Sequence, residues 1–581
     1  MTRPSVPGVR RFGRIRKGVR PPIPGVRRFA RIRRGERLLA RGALCLALAF
    51  FVAVFSGLPA DQSTEAQFQT VSSLGRGNGF SIGGTPEADG LLAGLPADGT
   101  VNATAQANTG EALASVPFYW AGKVFEAVVP GADVQEERFG QRTLGGFQRS
   151  EYFAHLLVGL RSPLLAALCV WLIVLCASRL GLSRTAAIVT GLGFGFGTFL
   201  MPFARQPFGS VQATALLLGA FYLILTAREA LERGRRPGRH YLVFCGLSLG
   251  LAWMSQDNLL FAVGVLVSTM LFVLLGGHRR LRKLRVATAE TAGQSTGLRR
   301  DLVLFGVPLL LLAAAGAGLN LMRFDALLGR GDVAIGFLAQ GPLAPGWAWS
   351  DPKALTRLLV APGGLLVLAP LLVLVPWGWV LSDGRVCRFS RRVILLLSLG
   401  VIFGGGLSSA GGQPWTFGPG LLLPCLPFLL LLAAVALEQM RTTARGRLVA
   451  MCLLLFGLLS NGGGVFVNHN SYEQLAAELA ASSDSQPAHP AMNFAESAPW
   501  AHWRILRHRL AGLGEEFSAE EIFFAADDVT LATDPESAKG LEHFTWLDMQ
   551  RNLGAEFWPI GIALLLLIGQ GIRLLLRSTE H

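Results

Sequence analysis

Charged residues are scarce in this chain. Only 16% of its 581 residues are Asp, Glu, Lys or Arg, whereas soluble globular proteins carry about 25%. Hydrophobic residues make up 51% of the sequence, and the mean hydropathy is +0.44. Apolar runs of about 20 residues, the length that crosses a bilayer, recur along the chain. This composition excludes an ordinary soluble domain and predicts a polytopic membrane protein.

Motifs of soluble nucleotide and metal chemistry are also missing. The sequence contains no P-loop, no GxGxxG and no HExxH pattern. All seven cysteines lie in apolar runs or in a basic link, without CxxC spacing. Neither a disulfide framework nor a zinc site is therefore predicted, and no residue is assigned to a metal.

The basic residues that give the net charge of +15 are concentrated in a few segments, in a pattern that indicates membrane topology. Residues 1–41 contain fourteen of the arginines and lysines, and most of the others lie in short links between apolar runs. Basic residues concentrate on the cytoplasmic side of membrane proteins. We therefore expect lipid rather than nucleic acid as the partner of these charges.

We predict an all-α fold with about twelve transmembrane helices. The candidate spans lie near 38–58, 156–178, 185–202, 209–227, 240–255, 258–276, 301–320, 364–381, 391–410, 418–437, 446–466 and 557–576. Every second link between these spans is basic, and we expect these basic links in the cytoplasm: 179–184, 228–239, 278–285, 385–392 and 441–447. Both termini then lie in the cytoplasm. Arginine outnumbers lysine 48 to 5 and Ala, Gly and Leu are abundant, which indicates a GC-rich bacterial genome, so we expect the protein in the bacterial inner membrane.

Four regions follow from this topology. They are a basic arm over 1–37, a transmembrane core over 38–466, an outer loop over 467–556, and a last span with its tail over 557–581. The arm contains the repeat "VPGVRRFGRIRKG" and "IPGVRRFARIRRG", and we assign it no function beyond that of a basic anchor.

The first outer loop, 59–152, contains eleven acidic and five basic residues, and the loop 467–556 contains fifteen and five. In the first loop, Glu65–Gly75 and Glu111–Val129 have helical patterns. Their apolar residues predict helices that lie on the membrane surface.

An acidic residue stands where the first span should leave the membrane. Asp61 is the first charge after the apolar run from Cys45 to Leu58, and Glu65 follows one helical turn later. Transfer of a sugar from a lipid-linked donor needs a base for the acceptor hydroxyl, and Asp or Glu commonly serves. Asp61 is our candidate base, and Glu65 could orient it or raise its pKa. Capping of the following helix is an alternative role for Asp61.

Arginines on the outer side run against the positive-inside trend. A leaving phosphate needs a cation to balance its charge. Arg323 and Arg205 are the candidate phosphate contacts, while Arg330 and Arg357 also lie on this side. Capping a helix, or pairing with a nearby acid, is the alternative for each of them.

Five stretches, taken in order, resemble a known superfamily. They are "DQSTEAQFQTVSSLGRGNGFSI", "TGEALASVPFYWAGK", "NLMRFDALLGRGD", "VAPGGLLVLAP" and "WTFGPGLLLPCLPFLLLL". Over most of residues 40–510 the chain resembles the GT-C-type membrane glycosyltransferases, which include the protein O-mannosyltransferases and the lipid A aminoarabinose transferases. The sequence departs from the family pattern in two ways. Relatives often have Arg where this chain has Gly363 or Gly364, and again where it has Gly420. Many relatives have Glu where this chain has Gln62.

The resemblance implies an inverting glycosyltransferase. It would move a sugar from a polyprenyl-phosphate-linked donor to a glycan, lipid or protein acceptor outside the cytoplasm, with Asp61 as base. No cofactor is assigned, and a divalent cation is left open. A non-catalytic relative that binds lipid or a partner is the alternative that the missing arginines favour. A transporter ranks last, because the two halves of the sequence show no repeat.

The predicted topology can be tested by labelling. Single cysteines placed within 59–152 and 467–556 should react with impermeant reagents from outside, because these acidic loops should face away from the cytoplasm. A cysteine within 228–239 should react only after the membrane is opened. The opposite pattern of labelling would refute the orientation.

Overall fold

The structure is a computed structural model of the chain. It describes residues 24–56, 62–80, 108–129, 143–144, 147–148, 151–205, 210–287, 296–324, 359–361, 363–383, 386, 388–406, 419–467, 472, 497–510 and 558–579. Asp61, Arg330, Arg357 and most of the loop 467–556 lie outside the described residues.

The described part is almost entirely helical. Its α-helices are α1 Pro24–Ala53, α2 Gln62–Gly75, α3 Thr109–Val128, α4 Tyr152–Arg179, α5 Arg184–Phe196, α6 Leu200–Phe203, α7 Val211–Glu232, α8 Arg239–Ser255, α9 Leu260–Ala287, α10 Thr296–Phe324, α11 Leu365–Leu368, α12 Val375–Leu381, α13 Arg388–Val401, α14 Leu426–Met440, α15 Ala444–Phe466, α16 Ala498–Leu510 and α17 Trp558–Thr579. Strands β1 Thr143–Leu144 and β2 Phe147–Gln148 form a short antiparallel pair.

The described parts of the predicted spans are largely helical, which confirms a multi-pass helical membrane protein but not the predicted count of about twelve spans. Among the described residues, seven helices are long and apolar enough to cross a bilayer. Several other spans are interrupted. The span predicted at 364–381 contains a 3₁₀ segment, Pro370–Leu374, since Pro370 has no amide hydrogen for the helix. The span predicted at 391–410 passes into a π-helix, Ile402–Gly406.

The first helix begins earlier than the sequence analysis predicted. α1 starts at Pro24, inside the second copy of the basic repeat, rather than near residue 38. Proline favours the first turn of a helix, because its missing amide hydrogen would have no partner there. The proposed boundary at residue 37 therefore lies within a continuous helix, and residues 1–23 lie outside the described part.

The core is built around α4. This helix packs against α1, α3, α5 and α7, and most of its residues are buried. A helix that is apolar on all sides belongs inside a bundle. In contrast, α10 and α17 expose long apolar faces, as expected for helices that contact lipid.

The two ends of the bundle differ in composition. The basic links gather at one end, which we call the basic end. The long loops emerge at the opposite, loop-bearing end, where α1 finishes and α4 begins. The start of the central helix therefore lies where the outer loop returns to the bundle.

Both helices predicted in the first loop are confirmed as α2 and α3. They pack on each other, and α3 also packs on α4. On its other face α3 exposes large apolar side chains, among them Trp120 (55% exposed), Val124 and Val128. This stripe suits a helix that lies at the membrane surface.

Candidate active site at the loop-bearing end

The candidate site is organised by α2, the helix that directly follows Asp61. Asp61 itself lies outside the described residues, but Gln62 is the first residue of α2. The position of α2 therefore limits where Asp61 can reach. Two buried clusters of side chains hold α2 and α3 against the start of α4.

The first cluster joins Glu65 to His155. The Nε2 atom of His155 lies 3.1 Å and 3.2 Å from the two carboxylate oxygens of Glu65. Gln69 donates to Oε1 of Glu65 at 2.9 Å, and the ring of Phe68 stacks on the imidazole at 3.3 Å. Glu65 and His155 are 2% and 1% exposed. The pair therefore connects α2 to α4 without water access.

Both ring nitrogens of His155 face acceptor oxygens. Its Nδ1 lies 3.0 Å from the backbone carbonyl oxygen of Glu151, and its Nε2 faces the carboxylate of Glu65.

The second cluster surrounds the carboxylate of Glu151, the residue that precedes α4. It accepts hydrogen bonds from Ser72 at 2.8 Å and Tyr119 at 2.7 Å, and Arg76 lies 3.0 Å away. Lys123 is 3.6 Å from the same carboxylate. One buried acid thus joins α2, α3 and α4.

The backbone of Glu151 is also unusual. Its φ of 65° lies in the left-handed region, which bulky residues rarely adopt. Such a conformation persists when the surroundings fix it. Here the side-chain hydrogen bonds hold the carboxylate while the backbone turns into α4.

Burial alone would raise the pKa of the Glu151 carboxyl. Hydrogen bonds from Tyr119 and Ser72, together with the hydrogen bond and charge of Arg76, outweigh this effect and lower the pKa below its ordinary value. The carboxylate form is therefore stabilised at neutral pH. Burial also raises the pKa of Tyr119, so its hydroxyl stays a donor.

A third polar cluster holds the beginning of α3. Arg161 donates to the backbone oxygen of Glu111 and to the side chain of Gln212, both at 2.8 Å. Gln212 donates in turn to the backbone oxygen of Gly110 at 3.1 Å and to Ser255 at 2.7 Å. The start of α3 is therefore bound to α4, α7 and α8.

Gly110 is required at this contact. A Cβ atom there would lie 2.7 Å from backbone atoms of Met254 and Ser255. Any larger residue would push α3 away from α8.

Glu151, His155 and Arg161 are not among the site residues predicted from the sequence. A usable signal was present for two of them, because His155 and Arg161 are ionisable residues within a strongly apolar run. Such residues in a membrane span usually have a specific partner or function. Their partners lie far away in sequence, so the contacts themselves could not be anticipated.

Arg205, a candidate phosphate contact, is 3% exposed. Its Nε donates to the backbone oxygen of Val54 at 2.7 Å, and its Nη1 donates to that of Val465. Val54 directly follows α1, and Val465 lies in the final turn of α15, where carbonyl groups lack helical partners and carry partial negative charge. The described contacts of Arg205 are therefore those of a helix-capping cation, and its phosphate role stays a prediction.

Arg323 lies in the last turn of α10, and its side chain is outside the described part. One turn earlier, Asn320 accepts a hydrogen bond from Thr109 at 3.3 Å. This contact brings the end of α10 to the first residue of α3. The helix that carries Arg323 therefore reaches the same loop-bearing end as α2 and α3.

Among the described residues, no group of three or more His, Cys, Asp or Glu side chains is arranged to hold a metal ion. The described acids of the site are instead hydrogen-bonded to protein groups.

No protein-family model and no curated protein matches the sequence. Several chains of solved structures are similar to it, among them the following two. The crystal structure of ArnT from Cupriavidus metallidurans bound to undecaprenyl phosphate has 15% sequence identity and a TM-score of 0.42, and the similarity covers 91% of this chain and 76% of ArnT.

The second structure is the archaeal oligosaccharyltransferase AglB from Archaeoglobus fulgidus, in complex with an inhibitory peptide and a dolichol-phosphate. It has 11% identity and a TM-score of 0.40, and the similarity covers 81% of this chain. The chain matches 60% of the length of AglB.

The lowered pKa of Glu151 predicts a pH-dependent stability. The ionised carboxyl stabilises the fold at pH values above its ordinary pKa of about 4.3, and this contribution is lost as the pH falls through the lower folded pKa. Glu151→Gln should therefore destabilise the protein at pH 7, by about 1.5–3 kcal/mol for charged hydrogen bonds. The difference in thermal midpoint between wild type and variant should shrink as the pH is lowered towards about 3.

Glu126→Gln is the matched control, because Glu126 pairs with Lys123 in a partly exposed contact on the same helix. It should cost about 1 kcal/mol or less. A constant difference between wild type and Glu151→Gln at every pH would contradict the ionised assignment.

Proposed function

We propose that the protein is a membrane glycosyltransferase. It transfers a sugar from a polyprenyl-phosphate carrier to an acceptor hydroxyl at the loop-bearing end of the bundle. The observation that carries this proposal is the docking of α2 onto α3 and α4 through Glu65, His155 and Glu151. This docking fixes the helix that directly follows Asp61 at the end of the first span.

The depth of the reaction follows from the donor. A polyprenyl phosphate keeps its chain in the hydrocarbon and its phosphate at the headgroups, so the anomeric carbon cannot go deeper. A base that follows the first span, and an arginine at the end of α10, are both suited to that depth. The exposed apolar stripe of α3 is compatible with a substrate that arrives within the membrane plane.

The chemical step assigns each residue a role. The acceptor oxygen forms a bond with the anomeric carbon, and the bond from that carbon to the phosphate oxygen breaks. Asp61 takes the proton of the acceptor hydroxyl. Arg323 balances the charge that develops on the leaving phosphate.

Glu65 and Arg205 have positioning roles in this proposal. Glu65 holds α2 on α4 through His155. Arg205 binds the last carbonyl groups of α1, and so sets the point where the chain leaves the span towards Asp61.

Asp61→Asn separates catalysis from helix capping. Asn caps a helix about as well as Asp, but its amide cannot take a proton. Transfer should fall by roughly 10²–10⁴, while expression and thermal midpoint stay near wild type. The measurement is the amount of lipid-linked sugar in cells that lack the gene, complemented with wild type or variant.

Asp89→Asn, which removes another acid of the same loop, is the matched control and should complement fully. Full complementation by Asp61→Asn would disprove the catalytic assignment. Unchanged lipid-linked sugars on deletion of the wild-type gene would instead favour the non-catalytic alternative.

A second variant pair tests the phosphate contact. A charge-assisted hydrogen bond is worth about 1.5–3 kcal/mol, so Arg323→Ala should weaken donor binding or turnover tenfold or more. Arg330→Ala, seven residues further on, should have a small effect. The measurement is the rate of sugar transfer against donor concentration in membranes, and equal, mild effects would favour helix capping by both arginines.

A further inference from the structure

The last helix, α17, is the least buried of the seven described helices that are long and apolar enough to cross a bilayer. It packs on α1, and Arg184 at the start of α5 donates to the backbone oxygen of Ser578 near its end. Most of its residues are nevertheless exposed. The helix therefore presents a face that crosses the membrane without a described neighbour.

One side of α17 is already used for packing on α1. A Cβ atom added at Gly571 would lie 2.9 Å from Cγ of Leu46 and 3.1 Å from the backbone oxygen of Gly42. On the same side Leu567 is partly buried and Ser578 is buried. The exposed residues therefore belong to the other faces of the helix.

A second row of residues runs the length of α17 and is exposed throughout. Its members alternate in spacing between four and three positions, which is the spacing of a seam between two packed helices. They are Pro559, Ala563, Leu566, Gln570, Arg573 and Arg577. We call these six residues the exposed row. Its spacing fits the packing of one more transmembrane helix.

Gln570 places an amide in the apolar part of the exposed row. It lies roughly 18 Å below Trp558 at about 1.5 Å per residue, within a hydrocarbon core of about 30 Å. Arg41 and Arg573 are exposed near this depth, and their long side chains extend to the headgroups at the basic end. The side chain of Gln570 is shorter, and helical side chains lean towards the N-terminus, which here is the loop-bearing end. Its amide therefore leans into the hydrocarbon.

An amide in hydrocarbon needs a hydrogen-bond partner, because no water is there to replace one. Gln570 is exposed, and its side chain makes no hydrogen bond within the part of the chain that the structure describes. Amide side chains in membrane helices bond across to a neighbouring helix. A helix packed on the exposed row would supply this partner.

A second copy of the chain supplies the partner by itself. A carboxamide carries both donors and an acceptor, so two Gln570 side chains related by a two-fold axis can form a reciprocal pair of hydrogen bonds. Such a contact uses the same surface of both copies and needs no residue from another protein. Ala563, two turns before Gln570, is small, and small residues let membrane helices approach closely.

The arginines of the exposed row lie at the basic end of this contact. Arg573 and Arg577 of two copies would be neighbours there. Their side chains extend into the headgroup layer, where salt and anionic lipid phosphates screen like charges. The hydrocarbon part of the contact contains only Pro559, Ala563, Leu566 and Gln570, which are uncharged.

We propose that α17 is a dimerisation helix, through which two copies of the chain associate side by side in the membrane. The exposed row forms the contact, and the reciprocal hydrogen bond between the two Gln570 side chains fixes its register, as a single buried amide does in a coiled coil. The proposal does not depend on the glycosyltransferase assignment, because none of these residues belongs to the candidate active site.

Cross-linking in native membranes tests which face makes the contact. Leu565 and Leu566 are adjacent leucines and both are 68% exposed, but only Leu566 belongs to the exposed row. Under mild oxidation of the full-length chain, Leu566→Cys should form a disulfide-linked dimer, because a seam brings Cα atoms within the roughly 7 Å that a disulfide allows. Leu565→Cys is the matched control. It should give no more dimer than wild type, whose exposed Cys452 sets the background.

The role of the amide is tested by the dissociation constant of the dimer. This constant is measured by analytical ultracentrifugation of the purified full-length chain in a neutral detergent. Gln570→Leu should raise it roughly fivefold to thirtyfold, the range expected from interhelical hydrogen bonds in membranes. Gln570→Asn should stay close to wild type, because it keeps the carboxamide. Leucine suits a helix that faces lipid, so the thermal midpoint of the Gln570→Leu monomer should not fall.

Four results would overturn the proposal. They are a wild type that stays monomeric at every concentration, equal cross-linking of Leu565→Cys and Leu566→Cys, and a Gln570→Leu variant that dimerises as tightly as wild type. The fourth is cross-linking of Leu566→Cys to a different protein, which would assign the exposed row to a helix of another partner.

Discussion

Hydrocarbon offers no water to polar groups, so charges within or beside the bundle need partners in the protein itself. Three buried charged residues at the loop-bearing end illustrate this constraint. Arg161 and Arg205 donate to backbone carbonyl oxygens, and Glu151 accepts from groups on α2 and α3. Because these partners belong to different helices, satisfying each charge also joins the helices. The docking of α2 and α3 on the bundle is a consequence of this requirement.

The Glu65–His155 pair has a different character. Buried ion pairs contribute little net stability, because desolvation of both groups offsets their attraction. We infer that the main effect of this pair is to fix the position of α2 on α4.

The two ends of the bundle present different chemistry to phosphate groups in opposite leaflets. At the loop-bearing end, cations such as Arg205 are buried and bound to backbone oxygens. At the basic end, Arg280 and Arg392 remain exposed. A buried cation organises the protein, whereas an exposed cation beside an apolar surface can bind a lipid. The bilayer between the two ends keeps these roles separate.

The sequence by itself determined the helical membrane architecture and the two surface helices, because long apolar runs and amphipathic patterns are local properties. Glu65 was noticed for its closeness to Asp61, one turn away. Only the tertiary structure identified His155, Glu151 and Arg161, whose partners lie 32 to 90 residues away in the sequence. Which buried charges meet depends on how the helices pack, and no local pattern of residues encodes that packing.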